Sequence, residues 1–478
     1  MAINTLSYTG RDVSEIRREL IDMIPTLTSK WTDFNTSDIG ITIIELIAGA
    51  QDMQNFYFDT QTFETYLDTA QQPKNIRSLL RTMNYRIPLM SAARGTVTLI
   101  FEDNSYKEVT IPKYTVVNST YADITVSYAV SETVIENGEF EELEVPVVEG
   151  EVKTFVTNKR KLKSNVNVAG NVSRRIYLGF KNVADSTVTI EQNGVIWEEV
   201  DDALLKYNGG YYFSVHVDSE GQVYVLMSVD FMDLLPSDEE EDITIRFVIT
   251  NGLDGTVDEE VLNDISMNIE GLVDVNNEEA TSGASNGVNL QRAKILAREK
   301  AITMDRFITL EDYRNGVLTE PYIQDCVVKD WKYPEYVNEP YIVRIWAIDY
   351  EGKPLGSEYA KILKNKLYEK GNVEVTVEIA EPELLQLDID VVIDVNARTL
   401  SDKELIREAV ENNLRTGLMQ GEMEFGYSLS YSEIKSTVLD TSSKIKSVVI
   451  NKPDGNFECT EIQYPVVGNI SVKLLDTL

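Results

Sequence analysis

Two cysteines, one histidine and 44 basic residues against 79 acidic ones are what this chain of 478 residues is short of. Each scarcity removes a class of function. Cys326 and Cys459 stand far apart in apolar company, which leaves neither a disulfide framework nor a C-x-x-C metal knuckle and points to synthesis in a reducing cytosol. His216 is the only histidine, so any nucleophile–base pair built on imidazole would have to use it. The formal net charge of −35 repels phosphate backbones and anionic lipid, which argues against nucleic-acid binding. That acidity serves solubility, or it complements basic surfaces on protein partners. No run approaches the ~18 apolar residues a membrane helix needs, and "MAINTLSYTGRDVSEIRREL" lacks the layout of a signal peptide. A chain neither membrane-inserted nor classically secreted is expected.

What is present is a long, patterned sequence. At 478 residues it has room for roughly three or four domains by the usual 100–200 residues each. The first ninety residues read as helical: Asp12-Val13-Ser14-Glu15 is a capping-box pattern, and Val13, Ile16, Leu20 and Met23 share a face until Pro25 interrupts. A longer helix follows, with a stripe of Ile43, Leu46, Ile47, Ala50, Met53 and Tyr57 that Ile44, Phe56 and Phe58 widen. So wide an apolar surface fits a core helix of its own domain, or a helix that packs against other chains.

From about Ala92 short alternating runs such as "GTVTLIFE" and "DITVSYAVSETVI" read as strands, and they continue beyond Gly138 with "QNG" and "SEGQ" as hairpin signals. Residues 288 to 320 return to helix, with Thr309-Leu310-Glu311-Asp312 opening a second helix that Pro321 stops. The last third reads as two α+β units. In the first, a strand precedes a helix with Ser357 as N-cap and Gly371 as its stop, and Val373, Val375, Val377 and Ile379 then share one strand face. In the second, "LQLDIDVVIDV" leads to a helix with the capping box Ser401 to Glu404 and Gly417 as stop, then a helix after Ser430-Tyr431-Ser432-Glu433. The expected division is 1–90 helical, 91–287 β-rich with a variable insertion at about 130–245, 288–325 a helical connector, and 326–383 and 384–478 as α+β units. The fold class is multidomain α+β.

Candidate chemistry is thin. Gly283-Ala284-Ser285-Asn286-Gly287 satisfies G-x-S-x-G, the pattern of a nucleophile's elbow. That elbow needs a buried apolar strand before the serine and a base after it; "VNNEEATS" and the earlier His216 supply neither. Gly283, Ser285, Asn286 and Gly287 read better as a tight polar turn, with Ser285 or Asn286 helping to cap the helix that follows. Asp388 and Asp390 are the outward positions of an alternating strand, "SDEEED" is a solvated loop, and neither glycine-rich stretch continues into a phosphate loop. No catalytic residue, cofactor or metal is expected.

Four segments in order resemble the baseplate J-like family of contractile phage tails and related injection systems. "TSDIGITIIELIAGAQDMQNFYFD" is similar to the family's "SDPGITLLELFAWLAD" block, with Ile39 where proline is common. "IPKYTVV" resembles "IPKGTxV", with Tyr114 in place of glycine. "TSGASNGVNLQRAKILAREKAITMDRFITLEDY" resembles "SGGSNGES…L…RAVTxxDYE", departing at Ala284 and Val288, and Tyr341 to Ala380 match the family's next α+β unit. The stretch of roughly 130–245 does not align. The resemblance implies a non-enzymatic structural subunit of the virion, assembled in the host cytoplasm. Its partners would be a second copy of itself and a partner wedge protein in a three-chain helical bundle, then neighbouring wedges and other baseplate and sheath-proximal proteins. The rival readings are a receptor-binding or adhesin module carried by the unaligned β region, and a tail-associated serine or carbohydrate hydrolase.

Overall fold

In the computed structural model, which describes residues 11–102, 106–120, 126–166, 172–203, 210–303, 306–337, 341–371, 374–396, 399–419 and 423–475, helices open the chain. Helix α1 (Val13–Leu27) starts where the Asp12 carboxylate accepts the Glu15 amide at 2.9 Å. Pro25 does not interrupt it. In the last turn proline forfeits a single backbone bond, and the Thr28 amide still closes on the Ile24 carbonyl. Helix α2 (Ile39–Phe63) is capped by Asp38 and packs on α1 through Ile24, Ile41 and Ile44, with Leu20, Ile21 and Trp31 at the margin. Gly40 has to be small here, because a Cβ would enter the Trp31 ring. Glu64 then gathers the Gln71 and Gln72 amides and the Asn75 side chain, turning the chain into α3 (Pro73–Thr82). The inner face of α3, Ile76 and Leu80, seals against Ala293, Leu296 and Ala297 of the helix Leu290–Thr303.

The β region is two modules, one inserted in the other. The outer one is a six-stranded antiparallel sheet, in spatial order Asp264–Ile265, Val116–Asn118, Tyr128–Val130, Glu142–Glu149, Arg94–Phe101 and Leu272–Asn276. Val97 lies opposite Val145 and Leu99 opposite Leu143, and these four side chains, with Tyr128, are core. Between Glu149 and Asn251 the chain leaves to build a sandwich of two four-stranded sheets around Ile190, Trp197, Phe213, Val225, Ile245 and Phe247. Its "QNG" turn has Asn193 at φ 52° and Gly194 at φ 75°, the left-handed pair that a tight hairpin between Gln192 and Val195 demands. The stretch 130–245 is therefore split: up to Glu149 it belongs to the outer module, where Val134–Glu139 pairs with Tyr106–Ile111 in a separate two-stranded sheet and Glu142–Glu149 lies in the six-stranded one, and beyond that to the sandwich.

Two small α+β units end the chain, and each has a long central strand with one antiparallel and one parallel neighbour. In the first, Ile342–Ile348 lies between Asp325–Lys329 and Thr376–Ala380, and the helix Ser357–Lys370 crosses between the parallel pair. In the second, Glu383–Val395 lies between Ile445–Lys452 and Gln463–Leu474, under the helices Leu400–Met419 and Tyr431–Thr441. The capping boxes at Thr309/Asp312 and Ser430/Glu433 form reciprocally. Three helix-end expectations shift by a residue or two. Gly356 rather than Ser357 is the N-cap, Thr399 rather than Ser401 accepts the Asp402 amide, and Gly417 lies inside a helix that runs on to Met419. A serine or glycine signals a helix end only where packing leaves its place free. Val373 lies outside the described residues.

Candidate assembly surface and inter-domain joint

Helix α2 spans 25 residues, roughly 37 Å at about 1.5 Å per residue, yet α1 covers only one strip of it. Ile41, Ile44 and Ala48, spaced three and four apart, are the buried positions. The stripe Ile43, Leu46, Ile47, Ala50, Met53 and Tyr57 faces outward; Leu46 is 69% exposed, Met53 61% and Tyr57 65%. Ile39, Phe56 and Phe58, with Met23 and Leu27 of α1, extend the same apolar exposure. Local spacing marks this stripe but does not single out Ile41 and Ala48 as the covered positions. Nothing local says which of two apolar strips a short neighbour will take.

The "TSGASNG" segment is a knot between modules. Ser285 is 1% exposed: its amide donates to the Ser91 carbonyl at 2.9 Å, and its Oγ accepts the Ser91 amide at 3.4 Å. Asn286 Oδ1 accepts the Leu253 amide at 3.2 Å. Neither residue caps the next helix, because Ser285 is spent on Ser91 and Asn286 on Leu253; Asn289 Oδ1 accepts the Gln291 amide there instead. Gly283, at φ 76°, donates its amide to Asp349 Oδ2, and a Cβ on it would collide with the Tyr359 ring. Tyr359 reaches back across the boundary, its hydroxyl donating to the Ala92 carbonyl at 2.6 Å and meeting Ser91 Oγ at 2.7 Å. Ser282 Oγ accepts the Gly356 amide at 2.9 Å. Asp349, Tyr359 and Ser91 carried no sequence signal, since their partners lie dozens to hundreds of residues away.

The sandwich is fastened at its root. Glu149, fully buried, accepts Thr250 Oγ1 at 2.5 Å and Asn251 Nδ2 at 2.9 Å where the chain leaves and returns. Burial lifts its carboxyl above the usual range, as it does that of Asp349. A raised folded value means the Glu149 contribution is complete below the unfolded pKa and is lost as pH rises through the folded one. Glu149→Gln, neutral throughout, is expected to gain Tm relative to wild type on going from pH 4 to pH 8; melting curves across that range check it. Tyr114 is a second fastening. It holds φ 71°, the conformation for which glycine is suited, and its hydroxyl donates to the Thr187 carbonyl at 2.9 Å. A cavity of about 80 Å3 lies between the sandwich, the segment 300–321 and the first α+β unit; of its lining residues, Arg86 pairs with Glu199 at 2.8 Å and Lys366 with Glu320 at 2.5 Å.

The remaining candidates are spoken for. His216 Nε2 pairs with Ser214 Oγ at 2.8 Å on its own strand, far in the fold's wiring from Ser285, and burial, then nearby Arg86, push its pKa down to about 4. The acidic run meets the short helix Lys159–Ser164, with Arg160 to Glu240 at 3.2 Å and Lys163 to Glu239. Asp390 pairs with Lys473 at 3.1 Å. Among the described residues no group of three His, Cys, Asp or Glu side chains is placed to hold a metal, and no helix is long and apolar enough to cross a membrane. Ser285→Ala is expected to cost about 1 kcal/mol of stability, one modest hydrogen bond, and to leave any ester hydrolysis by the preparation unchanged.

Comparison with known proteins points to the helical end. Residues 12–82, which hold α1 to α3, match the family model described as bacteriophage baseplate protein, N-terminal domain. The match supports a baseplate protein, and the fold is that of a multidomain α+β protein. Among solved structures, the chain is similar to the cryo-EM structure of the anti-feeding prophage baseplate, 6-fold symmetrised, at 12% identity and a TM-score of 0.33, over 95% of this chain and 90% of that one. No curated protein matches the chain.

Proposed function

We propose that this protein is a structural, non-enzymatic subunit of a contractile-tail baseplate, of the baseplate J-like kind. Its N-terminal helices join a second copy and a partner wedge protein in a three-chain bundle. Domains further along the chain meet neighbouring wedges, which close into a ring around the hub and relay the trigger for sheath contraction. Its place is the tail baseplate, after assembly in the host cytoplasm. The observation that carries the reading is the uncovered stripe from Ile43 to Tyr57, lying in the very segment that matches the baseplate domain. A helix apolar on nearly every side belongs in a core, and one chain supplies only part of that core. Co-expression with the neighbouring tail genes, followed by native mass measurement, tests it. A discrete hetero-oligomer containing this chain is the expected result, and a lone monomer under those conditions would overturn the proposal.

A further inference from the structure

The second α+β unit is joined to the rest of the chain more lightly than the first. Its core, from Leu387 to Leu474, is made of its own residues alone. The only covalent link is Glu381 and Pro382, between the strands Thr376–Ala380 and Glu383–Val395. The first unit, by contrast, is knotted to the six-stranded sheet through Gly283–Asp349, Ser282–Gly356 and Tyr359–Ala92. Across the boundary to the second unit run polar contacts. The Phe425 amide donates to Asp325 Oδ2 at 3.0 Å, and Lys329 ion-pairs with Glu461. Asp325 is 8% exposed and is held in place by accepting the Cys326 amide at 2.8 Å and by Arg314 at 3.7 Å. Beside these polar contacts the ring of Tyr464, 3% exposed, lies next to Gly352 of the first unit. A groove of about 440 Å3 flanks the link, lined by Ile379, Ala380, Glu381 and Pro382 with Ala347.

We propose that residues 383–475 form a latched arm that pivots about Glu381–Pro382, held in the observed position by the Asp325–Phe425 and Lys329–Glu461 contacts. Pro382 has no amide to donate and biases Glu381 towards extended backbone, so the link acts as a swivel with few torsions rather than as a loose tether. The groove beside it is the space into which the link turns. Polar latches separate without opening either core, and a partner that binds one arm position better than the other shifts the balance by that difference. The inference concerns this chain alone and stands or falls apart from the baseplate reading.

The test uses the full chain with spin labels on Lys364→Cys and Lys435→Cys, both exposed positions, in a Cys459→Ser background. Lys329→Glu, which sets like charges against each other at Glu461, is expected to broaden or shift the single label-to-label distance. It should also speed amide exchange at Phe425 about tenfold while Ile345 and Val391 in the two sheets stay protected. Adding Glu461→Lys should restore both. An unchanged distance with Phe425 still protected in Lys329→Glu overturns the proposal. So does exchange at Val391 that rises together with Phe425, which would mean that the unit unfolds rather than swings.

Discussion

A chain carrying Leu46→Asp and Ile47→Asp together is expected to melt as the wild type does and to vanish from any complex with its tail partners. Both side chains are already in water, 69% and 50% exposed, so aspartate costs the isolated helix only tenths of a kcal/mol in propensity. In a multi-chain bundle each would forfeit about 1.5–3 kcal/mol of aliphatic burial, and the carboxylates would have to be desolvated as well. Losing about 3 kcal/mol or more corresponds to at least two orders of magnitude in affinity. The control is Ile41→Asp, on the strip that α1 covers, which should instead melt the α1–α2 hairpin and lower helical circular dichroism. Wild-type incorporation of the Leu46/Ile47 double variant into complexes would remove the stripe from any role in assembly.

Gly283→Ala is expected to be a strongly damaging small substitution at the joint between the modules. Its left-handed backbone costs an L-residue about 1–2 kcal/mol, and the new methyl must displace the Tyr359 ring, which is worth about 1–3 kcal/mol more. Together these take about 2–5 kcal/mol from a net stability that is ordinarily about 5–15 kcal/mol. The damage should be local to a joint. Tyr359 holds the Ala92 carbonyl and Ser91, so pushing its ring aside loosens the first α+β unit from the six-stranded sheet. Thermal melts should show a large fall in Tm, and amide exchange should rise first near Ser91 and Ser282. A variant as stable as wild type would show that Tyr359 has somewhere else to go.

The two experiments read different layers of the same design. The stripe on α2 is where the chain is incomplete by itself; the knot at Gly283 is where it is most complete. Glycine at 283 and serine at 285 recur in a pattern that elsewhere marks catalysis, but here the serine hydroxyl meets a backbone amide and no base. The only imidazole is committed to Ser214 inside the sandwich.

Periodicity and turn chemistry in the sequence determined that the chain is α+β and in several modules. They placed the helical head, the helix starts at Thr309 and Ser430, and the Asn193-Gly194 hairpin, because each rests on contacts within a few residues. They also marked the apolar stripe of α2, since amphipathicity is a local property. Only the tertiary structure decided that Ile41, Ile44 and Ala48 are the covered strip, that the β region is a sandwich set into another sheet at Glu149, and that Ser285 is buried against Ser91. Those facts depend on partners far away along the chain, brought together by the packing of whole modules, and no local pattern encodes which distant strand or helix a side chain will meet.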